Sequence, residues 1–218
     1  MKMISLQSGS NGNCFYVEAG DVKLLFDAGI SGRSAEQRLK EHGRDIGDVD
    51  ALFVTHDHSD HSRSIGIFQR KFGMPVYMTR KTLAAIHRYG NIGPLDQVHF
   101  FNAGDVCSVG NVHVHSIPTP HDSADGVVFV VDDGNHRAGI LTDLGHVFDG
   151  LKEVLQTLDG VIIESNYDEK MLDSGPYPYH LKRRIRGSGG HISNREAAEL
   201  LSECASGQLK WACLCHLS

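Results

Sequence analysis

Four apolar residues, Ala51 to Val54, run directly into Thr55-His56-Asp57-His58-Ser59-Asp60-His61, which places five potential metal-binding side chains within six positions. An apolar run that breaks abruptly into histidine and aspartate reads as a strand giving way to a loop at the edge of a core. In extended chain, His56 and His58 lie two apart and project to the same side, while Asp60 and His61 on the following turn swing back toward a second point. Such a segment can serve two metals. Imidazole and carboxylate donors without thiolate suit zinc, manganese or iron, and do not suit calcium or a structural four-thiolate zinc. The competing reading is a solvated polar loop.

More ligand-type residues occur in the same local setting, just past a β-rich run. His121 follows Val112 to Ile117 and Pro118-Thr119-Pro120, Asp143 follows Gly139 to Thr142, and His216 follows Leu209 to Cys215. Further strands are expected at Cys14–Val17, Val22–Phe26, Pro75–Met78, Val127–Val131 and Val161–Ile163, from their Val, Ile and Phe content. Helices are expected over Ala35–His42, Lys81–Arg88 and Leu151–Leu158, each closing near a glycine. Another begins at the capping box Ser193-Asn194-Arg195-Glu196. The early strands read as a hairpin succession and the helices as a later feature, which gives one mixed α/β domain over residues 1–218, its sheets covered by helices.

Composition bounds the setting. The chain has 218 residues, a net charge of -6, fourteen histidines and five cysteines without a CxxC pair. That charge excludes a protein that coats nucleic acid by bulk electrostatics. The cysteines imply neither a disulfide framework nor a zinc knuckle, and point to a reducing, cytoplasmic setting. Met1 to Leu6 is too short to be the apolar part of a signal peptide, and no apolar run is long enough to span a bilayer.

The motifs resemble those of the metallo-β-lactamase-fold hydrolases. Leu24-Leu25-Phe26-Asp27-Ala28-Gly29 is similar to their first motif, His56-Asp57-His58-Ser59-Asp60-His61 to their HxHxDH signature, and His121, Asp143 and His216 to their later ligands. The resemblance implies a four-layer αβ/βα sandwich and two divalent metal ions. One ion would be held by His56, His58 and His121, the other by Asp60, His61 and His216, with Asp143 bridging and Asp27 supporting from outside. Ser8 to Cys14, Pro118 to Asp122, Thr142 to Gly145, Glu164 to Asp168, Gly175 to Pro178, Leu181 to Ile185 and Gly190 to Asn194 further resemble the YycJ/WalJ group from end to end. That likeness implies a metal-dependent phosphodiesterase, a 5′ to 3′ DNA exonuclease associated with repair machinery, in which a hydroxide bridging two metals attacks phosphorus and Asp60 serves the catalytic centre. It also implies further sequence beyond His216, so that the last ligand would sit on a fraying terminus.

His191, after Gly187-Ser188-Gly189-Gly190 and just ahead of the capping box, is the candidate proton donor. The resemblance to tRNA-processing relatives suggests that Glu164 orients it. Lys182, Arg183, Arg184 and Arg186, with His180, concentrate positive charge that can clasp phosphate, and Tyr177 and Tyr179 can stack on bases. A solvated helix face and packing around Pro176 and Pro178 are the competing readings. Cys213 and Cys215 read as alternate residues of a core strand. Two other functions share the ligand set: a thioester or lactone hydrolase, and a non-enzymatic metal-dependent DNA-binding subunit.

Overall fold

The structure is a computed structural model and describes residues 1–204 and 208–217. Among these, twelve strands form two six-stranded sheets. The first comprises β1 (Lys2–Gln7), β2 (Cys14–Ala19), β3 (Val22–Phe26), β4 (Ala51–Phe53), β5 (Val76–Thr79) and β6 (Val98–Phe101), hydrogen-bonded in that order. The second comprises β7 (Val106–Val109), β8 (Val112–Pro118), β9 (Val127–Asp132), β10 (Arg137–Leu141), β11 (Gly160–Glu164) and β12 (Trp211–Cys215), again in chain order. Strands β3 to β6 run parallel, as do β10 to β12, and the rest are antiparallel.

Period-two alternation assigns each strand's two faces to two cores. In β2, Cys14 and Tyr16 face the helices on the first sheet, whereas Phe15 and Val17 face the space between the sheets. In β9, Val127, Phe129 and Val131 enter that same space, while Val128 and Val130 turn to the helices on the second sheet. Strands buried on both faces are expected to read as continuous apolar runs, which is how they were legible. On the first sheet lie α1 (Gly32–Glu41), α2 (Ser59–Ser62), α3 (Ile65–Phe72) and α4 (Arg80–Tyr89), anchored through Ala35, Leu39, Ile65, Phe68 and Ile86. After β10 come α5 (Leu151–Gln156), α6 (Glu169–Ser174), α7 (Tyr179–Ile185) and α8 (Asn194–Cys204). Of these, α5 and α8 bury Leu151, Leu155, Ala197, Leu200 and Cys204 against the second sheet. The result is the expected four-layer αβ/βα sandwich. Its centre is an aromatic knot: the Phe26 and Phe53 rings lie 5.5 Å apart, and both pack on Phe129, at 5.3 and 5.6 Å. This makes a stiff floor beneath the ends of β3 and β4.

Helices are not a late feature, since α1 already separates β3 from β4 and the parallel pairing requires such a crossover. Strands β1, β6 and β7 went unexpected; each is a sheet edge paired on one side, and β6 and β7 are short and largely exposed. Cys213 is exposed and only Cys215 is buried, because β12 is the outermost strand and just its last residue reaches the core between the sheets. No helix among the described residues is long and apolar enough to cross a membrane.

The carboxyl ends of β3, β4, β10, β11 and β12 converge on one rim, where sheets of this kind build their sites. Three non-glycine residues there have left-handed backbone: Asp27 (φ 64°), Asp143 (φ 56°) and His216 (φ 55°). Each costs on the order of 1–3 kcal/mol, strain that persists where surrounding contacts over-determine it. Asp27 and His216 immediately follow their strands and Asp143 comes one residue later, and the sharp backbone reversal aims each side chain across the rim.

Candidate metal centre

The rim gathers the seven ligand-type residues into overlapping groups whose donor atoms lie within 4.8 Å of one another. His56, His58 and His121 form one and Asp60, His61 and His216 another. Asp143 stands between them, its carboxylate oxygens 3.1 Å from His61 Nε2, 3.6 Å from His121 Nε2 and 3.5 Å from His216 Nε2. The short helix α2 brings Asp60 and His61 round to the second point.

Every one of the five histidines has its outward nitrogen in contact with another group. His56 Nδ1 meets Thr55 Oγ1 at 2.9 Å, His58 Nε2 the Asp122 carbonyl at 3.2 Å, and His61 Nδ1 the Asp27 carboxylate at 2.7 Å. His121 Nδ1 meets the Gly190 carbonyl at 2.9 Å, and His216 Nδ1 the Asn166 amide at 2.9 Å. The inward nitrogens are thereby directed at common points, which is how groups outside a metal site fix ring orientation. Buried polar atoms are normally hydrogen-bonded, yet His56 Nε2, Asp143 Oδ2 and His216 Nε2 are buried without a hydrogen-bond partner. Orphaned nitrogen and carboxylate donors aimed inward fit divalent cations of the zinc, manganese or iron type.

His216 is not loosely held. It is 3% exposed, its amide donates to Ser8 Oγ at 2.6 Å, and Asn166 also donates to its carbonyl at 2.8 Å. Ser8 belongs to the loop preceding β2, which Asn13 stitches to the site: its amide nitrogen lies 2.9 Å from His61 Nε2, and its backbone donates to the Asp60 carbonyl at 2.7 Å. Gly29 allows this approach, because a Cβ there would stand 1.6 Å from the Asp60 carbonyl oxygen.

Beside the histidine groups, His191 Nδ1 lies 2.6 Å from Glu164 Oε1 and 3.5 Å from Asp143 Oδ1. Glu164 is fully buried, and its other oxygen accepts the Leu144 and Ile192 amides, so the pair is rigidly seated. The His191 ring stacks 5.0 Å from that of His216 and lines a cleft of about 280 Å³ with Ser10, Tyr177, Leu181 and Arg184.

A family model described as "Beta-lactamase superfamily domain" matches residues 23–216. The chain belongs to the beta-lactamase superfamily. Among curated proteins it is 40% identical to "Exodeoxyribonuclease YycJ" of Bacillus anthracis, over 98% of this chain and 81% of that protein. It is 37% identical to "Exodeoxyribonuclease WalJ" of Streptococcus pneumoniae, over 98% and 80%. Among solved structures, the metallo-beta-lactamase fold protein YhfI of Bacillus subtilis superposes with a TM-score of 0.75 at 19% identity, covering 99% of this chain and 85% of that one.

In this superfamily member the basic segment is only partly turned to the site. Arg184 lines the His191 cleft, but its Nε and a terminal nitrogen already grip the Asp122 carboxylate at 2.7 and 3.1 Å. Lys182 donates to the Asp173 carbonyl and Arg186 pairs with Asp173 at 2.6 Å, so both are spent on α6; Arg183 is exposed. Tyr177 lines the cleft while Tyr179 is 81% exposed. Asn13 and Asp122 were not singled out from sequence. Their signals were a polar residue directly ahead of an apolar strand and an acid directly after a ligand-type histidine.

The two ligand groups differ electrostatically. Burial, reinforced by neighbouring His61, holds His56 well below the ordinary histidine range, and burial likewise depresses His121. Burial opposes charge at His61 and His216 as well, but Asp143 with Asp27 holds the first well above that range, and Asp143 with Asp60 raises the second. Histidine binds metal only when neutral. Protein stripped by a chelator therefore holds protons at His61 and His216 more tightly than at His56 and His121, and metal must displace them. Zinc added to such protein in weak buffer is expected to acidify the solution, and affinity at the Asp60-His61-His216 group should fall more steeply with decreasing pH than at the His56-His58-His121 group. Calorimetric titration at several pH values checks this, and two equal pH slopes would contradict it.

Proposed function

We propose that this chain is a metal-dependent exonuclease that hydrolyses DNA phosphodiesters from the 5′ end, acting in the cytoplasm on ends that arise during repair. The observation that carries the reading is His191, held by buried Glu164 at 2.6 Å beside the ligand-type cluster and open to a cleft. The relatives named exodeoxyribonucleases support DNA as the polymer. Two divalent cations, zinc or manganese, held by His56, His58, Asp60, His61, His121, Asp143 and His216, would lower the pKa of bound water and neutralise charge on the phosphate.

The chain's own residues do the rest. Glu164 takes the Nδ1 proton of His191 in a hydrogen bond, which leaves Nε2 to pass a proton to the departing sugar oxygen. Proton transfer of this kind contributes about 10²–10⁴-fold. Asp27 keeps the His61 proton on Nδ1 and so keeps Nε2 inward. Arg184, through the face not used by Asp122, and Tyr177 bound the cleft that takes the leaving nucleotide.

The test is digestion of 5′-phosphorylated duplex DNA, single-stranded DNA and RNA with manganese or zinc, with product sizes resolved in time. Mononucleotides released from the 5′ end and abolished by chelator are expected. Turnover confined to thioesters or lactones, or metal and DNA binding with no turnover of any phosphodiester, would overturn it.

A further inference from the structure

A second cleft, of about 530 Å³, opens on the other part of the cluster. It is bounded by His58, Asp122, Arg63, Tyr89 and Asn91. The two clefts meet at Asp122, which lines both. One therefore ends at His191 and the other at His58, with the ligand-type cluster at their junction. Resting on the nuclease reading above, we infer that this second cleft receives the retained strand of the DNA, single-stranded at that point, with Tyr89 as the platform on which one of its bases stacks.

The chemistry assigns the two sides. In hydrolysis a bond forms between water oxygen and phosphorus, the bond from phosphorus to O3′ breaks, His191 gives its proton to O3′, and the proton lost by water passes to solvent. The nucleoside bearing O3′ must lie on the His191 side, in a cleft of about 280 Å³ that suits one nucleotide. The phosphate stays on the other product, so the remaining chain leaves through the larger cleft. Tyr89, last residue of α4, is 80% exposed, an unusual position for a large ring with no packing role. The Arg88 guanidinium lies 5.7 Å from its ring centre, adding a cation beside the stacking face. The cleft also holds two acids. Asp122 is paired with Arg184, and Asp57, which accepts the Ala124 amide at 2.8 Å, keeps its charge but shares the cleft lining with the Arg63 guanidinium. Aromatic faces flanked by cations are how unpaired strands are held without regard to sequence.

The experiment uses single-stranded DNA carrying 2-aminopurine at the first, second, third or fourth nucleotide, bound to zinc-loaded His191→Ala protein so that it is not consumed. Quenching at the second or third position that is lost in Tyr89→Ala and restored in Tyr89→Trp is expected, with the first position indifferent to Tyr89. On the otherwise unaltered enzyme, Tyr89→Ala should raise KM for single-stranded DNA roughly five- to a hundredfold, the span of one base–aromatic stack, and kcat far less. A KM and quench pattern unchanged by Tyr89→Ala, or a Tyr89-dependent signal at the first nucleotide, overturns this inference while leaving the nuclease reading intact. Protein that neither binds nor degrades DNA overturns both.

Discussion

Asp143→Ala is expected to reduce metal-dependent phosphodiester hydrolysis to below about one-thousandth of the unaltered protein, at or beyond the loss seen when one group that stabilises transition-state charge is removed. The reason is placement. Asp143 lies within 3.6 Å of inward nitrogens from both ligand groups, so its loss removes the one carboxylate they share. It also strips the nearby charge that favours the protonated forms of buried His61 and His216. Loss of half of a buried charge pair costs about 3–5 kcal/mol, so the variant should also melt earlier when metal-free. His58→Ala should lose activity comparably, with less effect on metal-free stability, because His58 is partly exposed and has no buried counter-charge. Metal content, melting temperature and turnover measured together check both variants. Unchanged turnover in Asp143→Ala would remove it from the centre.

His191→Ala should behave differently. A fall in kcat of about 10²–10⁴-fold on DNA is expected, with metal content unchanged. On a phosphodiester whose leaving group is p-nitrophenolate, an anion stable enough to depart unprotonated, the same variant should lose much less. Glu164→Gln should reproduce part of the effect, since the amide still contacts His191 but no longer stabilises its protonated form. If His191→Ala instead emptied one metal site, the cluster Asp143, Glu164, His191 and His216 would be a ligand set and the proton would need another source.

The fold was readable in the sequence wherever strands are buried on both faces, because apolar runs such as Val127 to Val131 have no other use. At the sheet edges it was read unevenly: the apolar run ending in β12 was legible, whereas the short, largely exposed β6 and β7, and β1 with its alternating exposure, were not. The ligand-type cluster was readable because each member follows a strand end, and histidine or aspartate in that position is conspicuous. What could not be seen was the second tier. Nothing in the sequence near residue 122 announces that Arg184 will reach it, nor does Asn13 advertise an approach to His61, because these contacts depend on how two sheets pack. The basic segment shows the converse: composition suggested four cations that can clasp phosphate and could not show that the fold gives Lys182 and Arg186 partners on α6 and Arg184 a partner in Asp122.

The hydrogen bond from the His216 amide to Ser8 Oγ closes the rim across almost the whole chain. Its consequence concerns the order of synthesis. A growing polypeptide presents His56 to His61 early, but the Asp60-His61-His216 group cannot be completed until β12 has been made and has docked beside β11. On the nuclease reading proposed above, a centre that awaits its last strand stays silent throughout translation, and a shortened product ending before that strand is expected to show no metal-dependent cutting of DNA.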